Sequence, residues 1–300
     1  MPFTTLTFEL GSRDPEATET TCFALGALSV TLTDVGDDPV LEPAPGEVRL
    51  WPATRVQALF ADGIDPDVAR AALAAAAGLD REGIVPGRLE DRVWEREWLE
   101  NFHAMRFGRR LWISPRHARV TETGAVIIQL DPGLAFGSGT HATTALCLEW
   151  LDAHLARGES VIDYGCGSGV LAIAAARLGA AAAWCYDIDA QALIAARDNA
   201  AANGVGERVH VVATAASLPA GCDLLVANIL AGTLRELAPG LARLVRPGGR
   251  AVLSGILEAQ AGEVTRAYDA WFDTVQSDVR DGWVRLAARR KAHARAAHRD

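Results

Sequence analysis

Residues 161–169 read Val-Ile-Asp-Tyr-Gly-Cys-Gly-Ser-Gly, an apolar strand that runs into a glycine at every second position. Glycines at the end of a strand let backbone N–H groups approach a ligand closely, and dinucleotide-binding proteins use this device. Their fingerprint, G-x-G-x-x-G, fails here because its third glycine would fall on Val170 or Ala172. A glycine-rich turn without a ligand is the alternative. The candidate binding residues of this segment are Asp163, Gly165, Gly167 and Gly169.

A second acidic residue, Asp187, follows 22 residues after Gly165, at the end of the apolar run 183–186. A carboxylate at this distance lies at the tip of the adjacent parallel strand, where it can accept hydrogen bonds from both hydroxyls of a ribose. Asp187 and Asp189 have a plainer interpretation as caps of the helix that begins near Ala190. We expect Asp189 to be the cap and Asp187 to bind the ribose.

Length and composition indicate a folded protein of about two domains, because half of its 300 residues are hydrophobic. No charged-then-apolar leader follows Met1 and no apolar run is long enough to span a bilayer, so we expect a cytoplasmic location. A net charge of −9 argues against broad contact with nucleic-acid phosphates. The five cysteines are scattered without a C-x-x-C pair, and we expect neither a disulfide framework nor a metal site. We expect a monomer.

Residues 1–90 predict a small α+β domain of the ferredoxin-like type, with the element order β-α-β-β-α-β. Leu6, Phe8 and Leu10 alternate as in a strand, and Asp-Pro pairs at 14–15 and 65–66 each open a helix. Nothing in this segment pairs a nucleophile with a base. Recognition of a partner is therefore its expected task.

The rest of the chain predicts a doubly wound, mostly parallel α/β sheet over residues 111–288. Its short apolar runs alternate with helices and occupy residues 161–163, 183–186, 209–212, 224–227 and 251–253. The charged and aromatic segment 91–110 suits a connecting helix, and the basic residues of 289–300 suit a frayed tail. Because ligands of such sheets lie at the carboxyl ends of the strands, we expect Gly165, Asp187 and Asn228 to line one crevice.

Two further segments belong to this predicted site. Asn228 ends the fourth strand of the sheet and is followed by Ile-Leu. An aromatic residue that would stack on a nucleic-acid base is absent from this position, so the binding of a base is disfavoured here. The glycine-rich loop 130–144 opens a helix and can fold over a cofactor, with Phe136 as an apolar cover and a threonine hydroxyl as a donor. A flexible connecting loop is the alternative.

Three strings carry a family resemblance. They read D-P-G-L-A-F-G-S-G-T-H-A-T-T-A-L-C-L-E-W-L at 131–151, V-I-D-Y-G-C-G-S-G-V-L-A-I-A-A at 161–175 and V-A-N-I-L-A-G-T-L-R-E-L-A-P at 226–239. The middle string has the spacing D-x-G-x-G-x-G, which resembles the first motif of S-adenosylmethionine-dependent methyltransferases. Together the strings closely resemble the bacterial methyltransferases of large-subunit ribosomal protein eleven, the PrmA family.

The resemblance implies a Rossmann-like class I methyltransferase domain that uses S-adenosyl-L-methionine and follows a domain that grips the ribosomal protein. The methyl groups would go to lysine side chains and to the N-terminal amine. Carried over by motif, the cofactor ligands would be Thr144, Gly165, Asp187 and Asn228, with Asn228 also orienting the acceptor as the candidate catalytic residue. Ser138 and Ala142 depart from the threonine and proline that are usual in the family.

Alternatives remain open at this point. The chain could methylate another protein or a small molecule, or bind S-adenosylmethionine without catalysis. His141 and Asp131 are candidate bases, but both positions also suit capping or loop-fixing roles, and we expect no single general base. The expected partner is ribosomal protein eleven, with no membrane and no direct nucleic-acid contact.

Overall fold

The computed structural model describes residues 3–36, 51, 53–89, 103–116, 118–130 and 141–292, apart from the side chains of residues 274 and 275. The chain divides into two compact units between residues 94 and 95. Within the described ranges, no helix is long and apolar enough to cross a membrane.

The smaller unit is an antiparallel sheet combined with helices. Its elements are β1 (Phe3–Glu9), α1 (Pro15–Ala24), β2 (Ser29–Asp34), β3 (Thr54–Phe60), α2 (Pro66–Ala77) and β4 (Val85–Leu89). The order across the sheet is β2-β3-β1-β4, and each adjacent pair is antiparallel. This is the ferredoxin-like arrangement, and the prediction of a small α+β fold is confirmed.

Local sequence explains these elements. The carboxylates of Asp14 and Asp65 cap α1 and α2 by accepting hydrogen bonds from backbone N–H groups of the first turn, and a proline follows each cap. Gly78 ends α2 in the left-handed conformation. The apolar residues that alternate along β1 and β3 form the core with Cys22 and Leu73, and they are Leu6, Phe8, Val56, Ala58 and Phe60.

The segment that enters the larger unit is a strand where a helix was predicted. β5 (Met105–Phe107), β6 (Leu111–Ser114) and β7 (Val126–Gln129) form a three-stranded sheet. Gly108 turns the chain at φ +69°, and the carboxylate of Asp152 accepts hydrogen bonds from the N–H groups of Arg109 and Arg110 at 2.6 and 3.1 Å. The connecting helix predicted for 91–110 is therefore wrong over 103–110, whereas 90–102 lie outside the described residues.

The larger unit contains a seven-stranded sheet in the order β10-β9-β8-β11-β12-β14-β13. Its strands are β8 (Ser160–Tyr164), β9 (Ala182–Tyr186), β10 (Val209–Val211), β11 (Cys222–Asn228), β12 (Val245–Leu257), β13 (Phe272–Arg280) and β14 (Trp283–Arg290). The five strands β8 to β12 are parallel, and β14 is antiparallel to both of its neighbours. The predicted mostly parallel sheet is confirmed.

Helices cover both faces of this sheet. They are α3 (Ala142–His154), α4 (Val170–Leu178), α5 (Ala190–Ala202), α6 (Ala231–Leu244) and α7 (Ala261–Tyr268). Val161 packs in the cluster that contains residues of α3, α4 and α5, and its neighbour Ile162 packs in the cluster of α6 and α7. Because both faces are buried, the strands read as continuous apolar runs, which is typical of a doubly wound sheet.

The last two strands correct the predicted tail. β13 and β14 form a hairpin through Asp281 and Gly282, which both have positive φ. Arg289 is paired with Arg250 of β12 on one side and with Asp273 of β13 on the other. Arg289 and Arg290 are therefore part of the sheet, although their charge had placed them in a tail over 289–300, of which 293–300 lie outside the described residues.

One ion pair at the amino ends of the parallel strands gives a pH-dependent stability. Asp223 accepts hydrogen bonds from the backbone N–H and hydroxyl of Ser160 at 2.8 and 2.7 Å, and from Nε of Arg246 at 2.7 Å. Burial alone would raise the pKa of Asp223, but these hydrogen bonds and the Arg246 charge outweigh it and lower the pKa to about 2.

Replacing Asp223 with asparagine should lower the free energy of unfolding by about 2 kcal/mol at pH 7. The folded-state pKa lies below the unfolded value near 4, so the contribution is present above pH 4 and is lost as the pH falls towards 2. Urea denaturation of both proteins at pH 7, 5, 4 and 3 measures it. A difference that stays constant over this range would contradict the assigned pKa.

Candidate active site

The candidate site lies where the order of the strands reverses. β8 stands between β9 on one side and β11 on the other, and ligands of open α/β sheets bind outside the carboxyl ends of strands at such a point. Gly165, Asp187 and Asn228 stand at the carboxyl ends of β8, β9 and β11. The Gly165 N–H donates to the carbonyl of Tyr186 at 2.8 Å, which ties the first two ends together. The structure thus brings the three residues to one edge of the sheet.

The loop after β8 requires its glycines. Gly165, Gly167 and Gly169 have φ of +77°, +51° and +76°, a region that favours glycine. A Cβ on Gly165 would lie closer than 3.0 Å to Cγ2 of Ile229, and one on Gly169 would lie 2.9 Å from Cβ of Ala196. The backbone of this loop is therefore packed against β11's continuation on one side and α5 on the other.

Helix α4 begins directly from this loop. Gly169 occupies its N-cap position and offers no side chain to cap the helix. The N–H groups of the first turn therefore carry the partial positive charge of the helix towards the end of β8. A ligand carboxylate at this place would be favoured by the charge and by the exposed donors.

Asp163 lies near the end of β8 and is fully buried. Its Oδ2 accepts a hydrogen bond from the N–H of Ala172 in α4 at 3.0 Å, while Oδ1 has no hydrogen-bond partner within the described part of the chain. Burial raises the pKa of Asp163 to about 7, the Ala172 N–H opposes this, and the negative charge of Asp187 adds to it. The side chain thus ties the end of β8 to the first turn of α4.

Asp187 holds the loop from the side of β9. Its Oδ2 accepts a hydrogen bond from the Gly167 N–H at 2.8 Å and its Oδ1 accepts one from the Asp189 N–H at 3.0 Å. An ionised carboxylate has about four acceptor positions, so two remain for a ligand. Asp189 caps α5 by accepting from the Gln191 N–H at 2.9 Å, as predicted.

Asn228 and Thr144 meet on the other side of the crevice. Nδ2 of Asn228 donates a hydrogen bond to the hydroxyl of Thr144 at 3.3 Å, and Thr144 is buried in the first turn of α3. This arrangement leaves Oδ1 of Asn228 as an acceptor. Next to it, Ser254 of β12 pairs with Asn228 and its hydroxyl donates towards the carbonyl of Thr143 at 3.3 Å.

His141 caps α3. Its Nδ1 accepts a hydrogen bond from the Thr143 N–H at 3.3 Å and lies 2.8 Å from the Thr143 hydroxyl. The imidazole ring contacts Trp283 edge to face, with the ring centroids 4.9 Å apart. The capping interpretation of His141 is confirmed, whereas Asp131 lies outside the described residues.

Two neighbours of the site were missed in the sequence. Ile229 packs against Gly165, and Ile188 is 94% exposed between Asp187 and Asp189. The signal for Ile188 was available, because an apolar residue between two aspartates at a strand end is out of place unless it covers something. Phe136, the predicted cofactor cover, lies outside the described residues.

The strand order, in which the last strand of the chain, β14, is inserted antiparallel between β12 and β13, together with the glycine loop at the switch point, is that of a class I methyltransferase. The family model described as "Ribosomal protein L11 methyltransferase (PrmA)" matches residues 2–291. The chain belongs to this family, and the resemblance drawn from its three sequence strings is confirmed.

Individual relatives agree over nearly the whole chain. The protein named "Ribosomal protein L11 methyltransferase" of Azotobacter vinelandii is 50% identical over 291 residues, which is 95% of this chain and 98% of that protein. The protein of the same name from Methylococcus capsulatus is 52% identical over 268 residues, covering 89% and 92%. A crystal structure of ribosomal protein L11 methylase from Lactobacillus delbrueckii subsp. bulgaricus matches with a TM-score of 0.59 and 35% identity, covering 63% of this chain and all of that one.

Proposed function

We propose that this enzyme transfers methyl groups from S-adenosyl-L-methionine to amines of ribosomal protein L11, namely lysine side chains and the N-terminal amine. The observation that carries the proposal is the family match over residues 2–291, which includes both units. The ferredoxin-like unit would recognise the ribosomal protein and the larger unit would bind the cofactor. Because ribosomal proteins are made in the cytoplasm, we place the enzyme there.

The described residues fit the proposed cofactor. When bound, S-adenosylmethionine supplies a methyl group on a positively charged sulfur. The glycine loop gives its amino-acid part close access to backbone N–H groups, and the uncapped start of α4 favours its carboxylate. The two acceptor positions left on Asp187 suit the ribose hydroxyls, and the exposed Ile188 suits one face of the adenine ring.

The opposite wall of the crevice suits an amine. With Nδ2 of Asn228 engaged by Thr144, Oδ1 can accept a hydrogen bond from the N–H of an incoming neutral amine. This points the nitrogen lone pair away from Asn228 and fixes its direction of attack. Alignment of this kind can contribute about 7–11 kcal/mol in well-oriented reactions.

The acceptor must also lose a proton. A lysine with a pKa near 10.4 costs roughly 4–5 kcal/mol to neutralise at pH 7, and an N-terminal amine near 7.8 costs only about 1 kcal/mol. Desolvation beside a positive sulfur lowers the pKa of the lysine without a dedicated base. Since Nδ1 of His141 is engaged with Thr143, we infer that His141 is a cap and that, among the residues of the crevice that the structure describes, no single one serves as general base.

The roles proposed for Asn228 and His141 predict different effects of their substitution. Replacing Asn228 with alanine should lower kcat by about 10- to 150-fold, because the loss of one orienting hydrogen bond in the transition state is worth roughly 1.5–3 kcal/mol. Replacing His141 with alanine should cost about 1 kcal/mol of stability as a lost cap and leave most of the activity. If His141→Ala abolished methyl transfer while the cofactor affinity stayed unchanged, the inference that the reaction uses no single general base would be wrong.

The function itself is tested by incubating the enzyme with S-adenosylmethionine that carries a labelled methyl group and with purified ribosomal protein L11. Transfer of label to lysine and to the N-terminal amine, located by mass spectrometry, is the expected result. Label on a different protein, or cofactor binding without transfer, would replace the proposal with one of the two alternative activities.

A further inference from the structure

The surroundings of the buried carboxyl group of Asp163 stabilise its negative charge poorly. It is fully buried at the end of β8, two residues before the loop that we assign to the cofactor. A single backbone N–H, that of Ala172, donates to Oδ2, and Oδ1 has no partner in the described ranges. A carboxylate taken out of water without a counter-ion is strongly disfavoured, so this position is sensitive to any charge that arrives nearby.

The groups that surround Asp163 do not stabilise its negative charge. On the neighbouring strand β9, Cys185 is paired with Asp163. Asp187 follows the end of β9, and its negative charge raises the pKa of Asp163. Cys147 of α3 is close enough for Asp163 to raise its pKa, and on the other strand neighbour, β11, Asp163 faces the apolar Val226. α4 contributes only the N–H of Ala172, and the interactions that set the pKa of Asp163 include no cation from the described residues.

The thiols do not compete for the same proton near neutral pH. Burial raises the pKa of Cys147 to about 12, and the pKa of Cys185 is raised well above its ordinary value by its interaction with the thiol of Cys166 and by burial. Asp163, with a pKa raised to about 7 chiefly by burial, is therefore a group of this cluster that changes charge between pH 6 and pH 8.

We propose that Asp163 distinguishes the charged methyl donor from its neutral product by losing its proton when the donor binds. This inference rests on the proposed function. S-adenosylmethionine and S-adenosylhomocysteine share the same amine and carboxylate and differ in the positive sulfur. A positive charge held at this loop would favour the ionised form of Asp163, which stands two residues before Gly165, and a neutral sulfur would not.

The proton balance is simple. On binding of the donor, the O–H bond of the protonated Asp163 breaks, the electron pair stays on the carboxylate, and the proton passes to the buffer. After methyl transfer the sulfur is neutral and the carboxylate loses its counter-charge, so Asp163 takes a proton back. The protonation state of Asp163 thus makes the enzyme hold its donor more tightly than its product, and this preference grows with pH.

Calorimetric titration of the full-length enzyme with each compound at pH 6 and pH 8 tests the inference. If the sulfonium lowers the pKa of Asp163 by about 1, the affinity for S-adenosylmethionine should rise about fivefold from pH 6 to pH 8 relative to that for S-adenosylhomocysteine. Because the sulfonium also lowers the pKa of the donor's own amine, the same ratio is measured in a variant that lacks the Asp163 carboxyl, where only the ligand amines titrate. Between pH 6 and pH 7 the donor, unlike the product, should release up to about half a proton per enzyme, measured from titrations in buffers of different ionisation enthalpy.

Variants isolate the residue. In Asp163→Asn the fivefold rise of the ratio should be absent, leaving only the change that comes from the amines of the two ligands, while Asp223→Asn, which removes a carboxylate at the opposite end of the sheet, should keep the wild-type pH dependence. Should Asp163→Asn not fold, proton release by the wild-type enzyme still decides the matter. Binding of both compounds with a ratio that does not change with pH, and without proton release, would overturn this inference alone. Absence of any binding would overturn the proposed function instead.

Discussion

Gly165→Ala should lower the affinity for S-adenosylmethionine by roughly a hundredfold or more. The new methyl group would lie closer than 3.0 Å to Cγ2 of Ile229, and the residue would be held at φ +77°. The left-handed conformation costs alanine about 1 kcal/mol, and overpacking costs typically about 1–3 kcal/mol. Because the loop is held at both of its ends, it must move out of the position in which its N–H groups meet the ligand. Calorimetric titration with the cofactor measures the loss.

Gly158→Ala is a matched control for this variant. Gly158 also has a positive φ, of +85°, but an added Cβ meets nothing within 4 Å. It should cost about 1 kcal/mol of stability and leave the cofactor affinity unchanged. In the Gly165→Ala background, Ile229→Ala removes the contact and should restore part of the affinity. Wild-type affinity in Gly165→Ala itself would show that the loop is not the cofactor site.

Asp187→Ala should weaken cofactor binding by about 1.5–3 kcal/mol, which is roughly 10- to 150-fold. The loss has two sources. The proposed hydrogen bonds from the ribose hydroxyls disappear, and Gly167 loses the carboxylate that accepts its N–H at 2.8 Å. Titration calorimetry at pH 7.5 is the direct measurement, and an unaltered affinity would remove Asp187 from the site.

Asp189→Ala separates these effects from damage to α5. Asp189 lies two residues further along and caps that helix through the Gln191 N–H. Its loss should cost about 1 kcal/mol of stability without changing the affinity for the cofactor. If the two variants lost affinity equally, a general disturbance of the end of β9 would explain both.

Most of the fold follows from local rules that the sequence displays. The Asp-Pro pairs predicted both helices of the small unit, since each carboxylate caps its helix, and continuous apolar runs predicted the parallel strands. Burial on both faces makes those runs unmistakable. The order in which the strands lie side by side is a matter of long-range pairing, and no strand order was predicted from the sequence.

The hairpin of β13 and β14 was missed although its turn is visible. Asp281-Gly282 is the turn sequence that a two-residue hairpin favours, because both positions need positive φ. The flanking residues are mixed in polarity, and the run of arginines at 289 and 290 resembled a solvated tail. Because β14 lies between β12 and β13, its backbone is hydrogen-bonded on both sides. This pairing keeps the strand in the sheet even where its side chains are charged.

Within the site, spacing predicted the residues that belong to strand ends, but it did not predict which loop lies against which. Gly165 and Ile229 are 64 positions apart, and only the parallel pairing of β8 and β11 brings them into contact. In the same way, the surroundings of the buried Asp163 come from three different elements. Its neighbours are Ala172 of α4, Cys185 of β9 and Cys147 of α3. Such contacts are products of the assembled sheet.

The direction of β14 has a practical consequence for handling the protein. Since β14 runs against the parallel strands, it ends at their amino ends, and the Lys291 N–H then donates to the carbonyl of Trp271 at 2.9 Å. Residue 291 therefore lies at the amino ends of the parallel strands, opposite the crevice. A fluorophore or surface tether attached at residue 292 should leave the crevice open, so this position suits immobilisation of the enzyme for binding measurements.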